Sequence, residues 1–290
     1  MTRPEDTTQT FNQYRVLLFS IAYRMLGSAA DAEDIVQEAF LRWMQESSEE
    51  VQSPRAYLAT VVTRLCIDQL RLARVQREVY VGPWLPEPIQ TGPRQELVES
   101  TILAESLSFA FLVMLENLGP LERAVFLLHE VFEYEYTEIA AIVGKSEANC
   151  RQIFHRAQRH LGQRRPRFNV SYEQQERITD QFLRASTGGD MQGLMNLLTE
   201  DIVFTGDGGG KVRVGHNVHG PDKVARGTLA GLRPLLSSMQ PCIEEINGQP
   251  AITGYVDGSP YGVVLLDIED EHIRRIYAVL NPDKLRWMSL

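Results

Sequence analysis

Three cysteines in 290 residues, Cys66, Cys150 and Cys242, are too few and too scattered for a disulfide framework or a zinc site. They read as free thiols. No apolar run approaches the ~20 residues a membrane helix needs. The first thirty residues carry Glu5 and Asp6 and no signal-peptide core. The expectation is a cytoplasmic protein with no membrane partner. Internal repeats and low-complexity tracts are also missing. Positive charge is in deficit: 29 Lys and Arg face 38 Asp and Glu, a net charge of −9. That sum alone argues against nucleic acid.

The distribution of charge qualifies the sum. From Ala148 to Tyr172 there are six arginines and no acid; from Arg55 to Arg77 there are five arginines against Asp68 alone. Acids gather elsewhere, notably over Asp31–Glu50. Two basic stripes fit either local contact with a polyanion or two solvated helix faces.

Up to about Gln163 the chain reads as helical. Tyr14, Leu17, Leu18, Ile21, Ala22 and Met25 repeat at helical spacing over Phe11–Leu26, and Gly27 stops the helix. An acidic helix follows to Met44, with Asp31 as its expected N-cap and Ile35, Val36, Ala39, Phe40 and Trp43 as its apolar face. Ser53-Pro54 pairs a cap with a first-turn proline, opening a helix to about Gln76. The stretch Val79–Glu96 holds four prolines and two glycines and is a linker. It also contains Trp84 and Leu85, so it is expected to dock on something.

Helical periodicity returns over Glu99–Leu118 and again after Gly119-Pro120. "TEIAAIVGKSEANCRQIFHRAQRHL" then gives two helices around a tight turn, with Thr137 and Ser146 as caps and Gly144 in the turn. This is the helix-turn-helix pattern. Its second helix projects Arg151, Gln152, His155, Arg156 and Arg159 on one face and Ile153, Ala157 and Leu161 on another. Arginine suits guanine and glutamine suits adenine in the major groove. Beyond "RRPRF" the pattern changes. Helices over Tyr172–Ser186 and Met191–Leu198 precede strands at Ile202–Thr205, Lys211–Val214, Ala251–Val256, Tyr261–Ile268 and His272–Leu280, an α+β domain with antiparallel strands.

"FTGDGGGKVRV" (Phe204–Val214) invites a phosphate-loop reading. A Walker loop would need Gly at 205 and Ser or Thr at 212; Thr205 and Val212 stand there. Nucleotide binding is rejected, and no cofactor or metal is expected. The stretch reads as a turn between strands.

The order of the helical motifs, "YRMLGSAADAEDIVQEAFLRWM", "SPRAYLATVVTRLCIDQLR", a linker and the helix-turn-helix, resembles the extracytoplasmic-function sigma factors of RNA polymerase over residues 10–165. The resemblance implies core RNA polymerase and promoter DNA as partners. Asp34, Gln37, Glu38 and Leu41 would meet the polymerase clamp. Arg55, Arg64, Asp68, Arg71 and Arg74 would face the −10 element. Arg151, Gln152, His155, Arg156 and Arg159 would read the −35 element. Ile153 stands where many relatives carry a basic residue, which removes one phosphate contact.

The remainder resembles the SnoaL-like cone carried by a subgroup of these factors. Three motifs bear that likeness: "WLPEP" (Trp84, Leu85, Pro86, Glu87, Pro88), "DGGGK" (Asp207, Gly208, Gly209, Gly210, Lys211) and "NPDKL" (Asn281, Pro282, Asp283, Lys284, Leu285). The expected architecture is two all-α sigma domains followed by an α+β cone: region 2 at 8–78, the linker at 79–98, region 4 at 99–165 and the cone at 170–290. The cone would be a built-in regulator that makes a separate anti-sigma factor unnecessary, with the three motifs forming one contact. Asp267, His216, His219 and Tyr255 are the candidates for catalysis in the cone. Asp267, at a strand end, is expected to be solvated and no acid–base pair is arranged, so the cone is not read as an enzyme. Ligand sensing in its pocket stays open. The rival to the sigma reading is a ligand-sensing helix-turn-helix repressor acting without polymerase.

Overall fold

The computed structural model describes residues 4–46, 51–77, 80–91, 108–162 and 170–288. The chain divides into two compact units: Met1–Glu78, Glu96–Ser106 and Phe111–Arg165 form the first, and Val79–Gln95, Leu107–Ala110 and Pro166–Leu290 the second.

The first unit is helical. It holds α1 (Pro4–Leu26), α2 (Ala29–Gln45), α3 (Pro54–Arg77), α4 (Phe109–Leu115), α5 (Pro120–Glu130), α6 (Tyr136–Val143) and α7 (Glu147–Leu161), though Phe109 and Ala110 of α4 count with the second unit. Side-chain acceptors start the helices. Ser28, not Asp31, caps α2, accepting the Asp31 N–H at 3.1 Å. The cap thus stands three residues before the expected one, and Asp31 supplies the N–H that Ser28 accepts. Ser53 Oγ accepts from Ala56 N ahead of α3. Glu135 stands at the N-cap of α6, two residues before the expected Thr137. The Glu99–Leu118 helix is described only from Phe109; its earlier part lies outside the described residues. Leu18, Ala39, Trp43, Leu58, Leu127 and Ile139 are buried in this core.

The second unit is an α+β body. Helices α8 (Tyr172–Gly188), α9 (Met191–Leu197) and α10 (Pro221–Leu232) accompany strands β1 (Leu198–Asp207), β2 (Val218–His219), β3 (Met239–Ile246), β4 (Gln249–Val256), β5 (Ser259–Glu269) and β6 (His272–Val279). The sheet order is β2-β1-β6-β5-β4-β3. The sheet is mixed, not wholly antiparallel, because β1 and β6 run parallel. Phe182, Leu194, Ile202, Val224, Leu266 and Ile276 form the core between the helices and the sheet. Lys211–Val214 is not a strand: after Asp207 the chain turns tightly and Lys211 N and Val212 N both bond Gly208 O. Among the described residues no helix is long and apolar enough to cross a membrane, and no trio of His, Cys, Asp or Glu is placed to hold a metal.

Candidate functional site

The basic helix α7 is fixed from both ends of its sequence logic. Gly144 adopts φ +66°, which a side chain disfavours, and so turns α6 into α7. Ser146 Oγ then accepts Asn149 N at 3.3 Å. Cys150, Ile153, Phe154, Ala157 and Leu161 are buried. Arg151, Gln152, His155, Arg156 and Arg159 are all exposed on the opposite face. Ile153 is only 4% exposed and packs with the apolar face of the helix. Two of these arginines are braced. Arg151 pairs with Glu147 at 3.2 Å and lies over the Tyr136 ring. Arg156 pairs with the buried Glu122, which His160 also approaches at 3.5 Å. Burial works to raise the Glu122 carboxyl, but hydrogen bonds from Gly119 N–H and Arg156 outweigh it and hold it below its ordinary value.

On α2, Asp34, Gln37 and Leu41 form an exposed stripe at positions i, i+3 and i+7. Leu41 is 56% exposed, a large apolar side chain among acids, while half-buried Glu38 is tied to Arg42 at 2.9 Å. An apolar residue ringed by charge suits a protein contact better than a solvated face.

Arg55, Arg64 and Arg71, assigned to the −10 element, are exposed, but each already has a partner within the chain. Arg64 Nε donates to Ile142 O at 2.8 Å and its Nη2 to Ala141 O at 3.0 Å. These are last-turn carbonyls of α6, so Arg64 of α3 satisfies the C-terminus of the first helix of the helix-turn-helix. Arg55 lies over the Tyr134 ring, and Arg71 pairs with Asp68 at 3.0 Å. The Arg74 side chain and residues 47–50 lie outside the described residues. A second link joins the same halves: buried Arg123 donates to Met25 O at 2.6 Å and to Glu116 at 2.8 Å. Beside it, Arg24 lies over the Phe132 ring, and burial pushes its guanidinium down to about 9. Nothing in the local sequence signals these non-local contacts.

The three short motifs meet within the second unit. Leu85, Pro86, Glu87 and Pro88 are buried there. Asp207, 1% exposed, is the hub. It accepts from Tyr80 Oη at 2.5 Å, Leu85 N at 2.9 Å, Gly209 N at 3.0 Å and Lys284 Nζ at 2.7 Å. Lys284 also donates to Leu85 O and lies 4.0 Å from the centre of the Trp84 ring. Asn281 Nδ2 donates to Tyr80 Oη at 3.0 Å. Burial, then the bond to Asp207, pushes the Tyr80 hydroxyl well above its ordinary value.

The glycines follow from this crowding. A Cβ on Gly208 would strike the Val212 carbonyl, and one on Gly209, at φ +58°, would strike the Asn281 side chain. Lys211 does not reach the linker; it pairs with Asp283 at 2.6 Å on the surface. Its neighbour in chemistry, Lys284, does the linking. Further along, Ile89 N donates to Asn247 Oδ1, Asn247 N to Ile89 O and Thr91 N to Glu245 O. Gln90 bridges Ile246 on β3, so the linker covers the edge of the sheet.

The catalytic candidates do not converge. Tyr255 Oη bonds Glu244 at 3.0 Å, and burial with that bond pushes it up to about 12. Asp267 is not solvated as expected. Burial raises its carboxyl above the ordinary value, although Arg275 lies 3.9 Å away. His216 and His219 are exposed, and none of the four lines the cavity of the second unit.

Two family models match the chain, Sigma-70 region 2 over residues 10–75 and Sigma-70, region 4 over residues 108–161. The chain is 36% identical to the ECF RNA polymerase sigma factor SigJ of Mycobacterium tuberculosis (strain ATCC 25618 / H37Rv), over 94% of this chain and 91% of that protein. It is 30% identical to the probable ECF RNA polymerase sigma factor SigI of the same strain, over 98% of this chain and 97% of that one. The crystal structure of the M. tuberculosis SigJ matches at a TM-score of 0.78 and 34% identity, covering 96% of this chain and 97% of the other. That span includes the α+β unit as well as the helices. The chain therefore belongs to the extracytoplasmic-function sigma factors of RNA polymerase.

Proposed function

We propose that this sigma factor docks on core RNA polymerase through the Asp34–Gln37–Leu41 stripe, reads a −35 element with α7 and opens a −10 element with α3. The observation that carries the reading is the exposed face of α7. Arg151, Gln152, His155, Arg156 and Arg159 project from a helix whose other face is fully committed to the core. Its work is binding energy placed on bases and phosphates, with no covalent step of its own.

The hydrogen bonds of Arg64 to α6 support a closed form off the polymerase. Two of the five guanidinium donors of Arg64 are committed to α6, so on loading a promoter phosphate competes with those carbonyls for the same side chain. The second unit acts as the built-in regulator. It grips residues 80–91, the tether between the two promoter-reading halves, through Asp207 and Lys284. How firmly that tether is held sets the reach between α3 and α7, a task that otherwise falls to a separate anti-sigma protein.

Footprinting on a promoter fragment tests the reading. Protection of both elements is expected only with core polymerase present, and Arg64→Ala should reduce permanganate reactivity in the −10 region. Tight protection of duplex by the protein alone would favour a polymerase-independent repressor instead.

A further inference from the structure

The second unit holds a partly open cavity of about 300 Å³ between α8, α10, the Val212–Gly215 loop and the sheet. That is the lower end of small-molecule sites, ~300–1,000 Å³. Its walls are apolar, with Phe182, Phe204, Val264 and Ile276 among them.

Three features distinguish it from a packing defect. Ser186, 5% exposed, and Thr228 both line the cavity, and their buried hydroxyls have no hydrogen-bond partner. A buried polar group without a partner is costly, so such groups are normally satisfied. Helix α10 also places Gly227 and Gly231, one turn apart, on the cavity wall, with nothing within 4 Å of where a Cβ would stand. Glycine inside a helix costs about 1 kcal/mol against alanine. No neighbour demands it here, and what the two glycines leave is space. Finally, the charged residues lining the cavity are Arg213 and Lys223. Both are exposed, neither makes an ion pair among the described residues, and no Asp, Glu or His lines the cavity beside them. Asp222, next to Lys223, is occupied by Arg226 at 2.9 Å.

We propose that this cavity is a binding site for a small amphipathic carboxylate. Its hydrocarbon body fills the apolar interior and its carboxylate lies between Arg213 and Lys223. An oxygen on the body, hydroxyl or carbonyl, bonds Ser186 and Thr228. No carboxylate or imidazole lines the cavity, and the proposal is of a site that holds a molecule without transforming it. The Val212–Gly215 wall continues directly from the glycine turn beneath residues 80–85, so ligand and linker share one loop.

The test uses the full chain and measures direct binding by calorimetry, independent of polymerase and of the transcription reading. The probes are decanoate, 10-hydroxydecanoate and decanol. Saturable one-site binding is expected, with decanoate favoured over decanol and the hydroxy acid over decanoate. Arg213→Ala with Lys223→Ala should cut the acid-over-alcohol preference by up to about tenfold, the size of ~1.4 kcal/mol. Gly227→Leu fills the cavity and should abolish binding while leaving the melting temperature unchanged or higher. If that variant fails to fold, a diazirine-bearing decanoate on the wild-type chain maps the site, with cross-links expected in 182–186 and 223–232. No saturable binding, equal binding of acid and alcohol, binding retained in a folded Gly227→Leu, or cross-links elsewhere would each overturn the proposal.

Discussion

Replacing Lys284 by methionine probes the contact between linker and second unit at its centre. The Lys284 side chain is 6% exposed and that of its partner Asp207 is fully buried. Methionine keeps most of the volume and loses the charge. Asp207 would retain Tyr80 Oη, Leu85 N and Gly209 N as donors but no counter-charge, Leu85 O would lose its lysine donor, and Trp84 would lose its cation. Removing one partner of a buried pair costs about 3–5 kcal/mol, because the other charge is left uncompensated. In a body of this size that is roughly a 10 °C drop in the melting transition. The comparison is Lys211→Ala, which breaks the Lys211–Asp283 pair, whose side chains are 55% and 45% exposed. Exposed pairs contribute only ~0–1 kcal/mol. Urea denaturation followed by tryptophan fluorescence, with the slope checked for constancy, reads both. A loss below ~1 kcal/mol for Lys284→Met, no larger than for Lys211→Ala, would refute the assignment of Asp207–Lys284 as the fastening.

Gly209→Ala should destabilise the second unit by ~1–2 kcal/mol from its left-handed backbone alone, with the clash against Asn281 added; thermal melting reads it. Arg151→Ala should weaken recognition at a single −35 base pair by about 1–3 kcal/mol, leaving other positions intact in a promoter-substitution panel. Burial raises the Asp267 carboxyl above 3.8, so the folded state holds its proton more tightly than the unfolded chain. This group's contribution to stability therefore falls as pH rises from about 3.8 through the raised value. Asp267→Asn should remove that loss, so the stability gained by the variant grows from acid to neutral pH in denaturation series; a gain that shrinks instead would contradict the sign.

What the sequence made legible was local. The Gly144 turn, the Ser146 cap and the apolar stripe of α7 depend on residues within a few positions of one another, and all stand where the pattern puts them. The caps of α2 and α6 slipped by three residues and by two, because several side chains nearby could serve as the cap. The misses are of two kinds. Helix α10, "PDKVARGTLAGL", gives a weak helical signal because two of its interior positions are glycine, a composition that follows from the cavity it lines. The other kind is non-local. The parallel pairing of β1 with β6 joins positions about seventy residues apart, and Arg64 caps a helix 77 positions ahead. The turn at Gly208–Lys211 looked like a hairpin because glycine fits both; the contacts of Gly209 with Asn281 and of Gly210 with Val81 decide it, and these come from distant chain. Likewise the three motifs were visible as words, but not that Lys284, and not Lys211, reaches the linker.

If the second unit controls this sigma factor through the linker, loosening its hold on the linker must change initiation. Run-off transcription with core polymerase, comparing the wild-type chain with Lys284→Met on the promoter upstream of its own gene, tests it most directly. Initiation is expected from core plus the wild-type chain and from neither alone, with a clear change in yield for Lys284→Met at equal folded concentration. No transcript from core plus the wild-type chain would contradict the promoter role, and an unchanged yield with a folded Lys284→Met would contradict control through the linker.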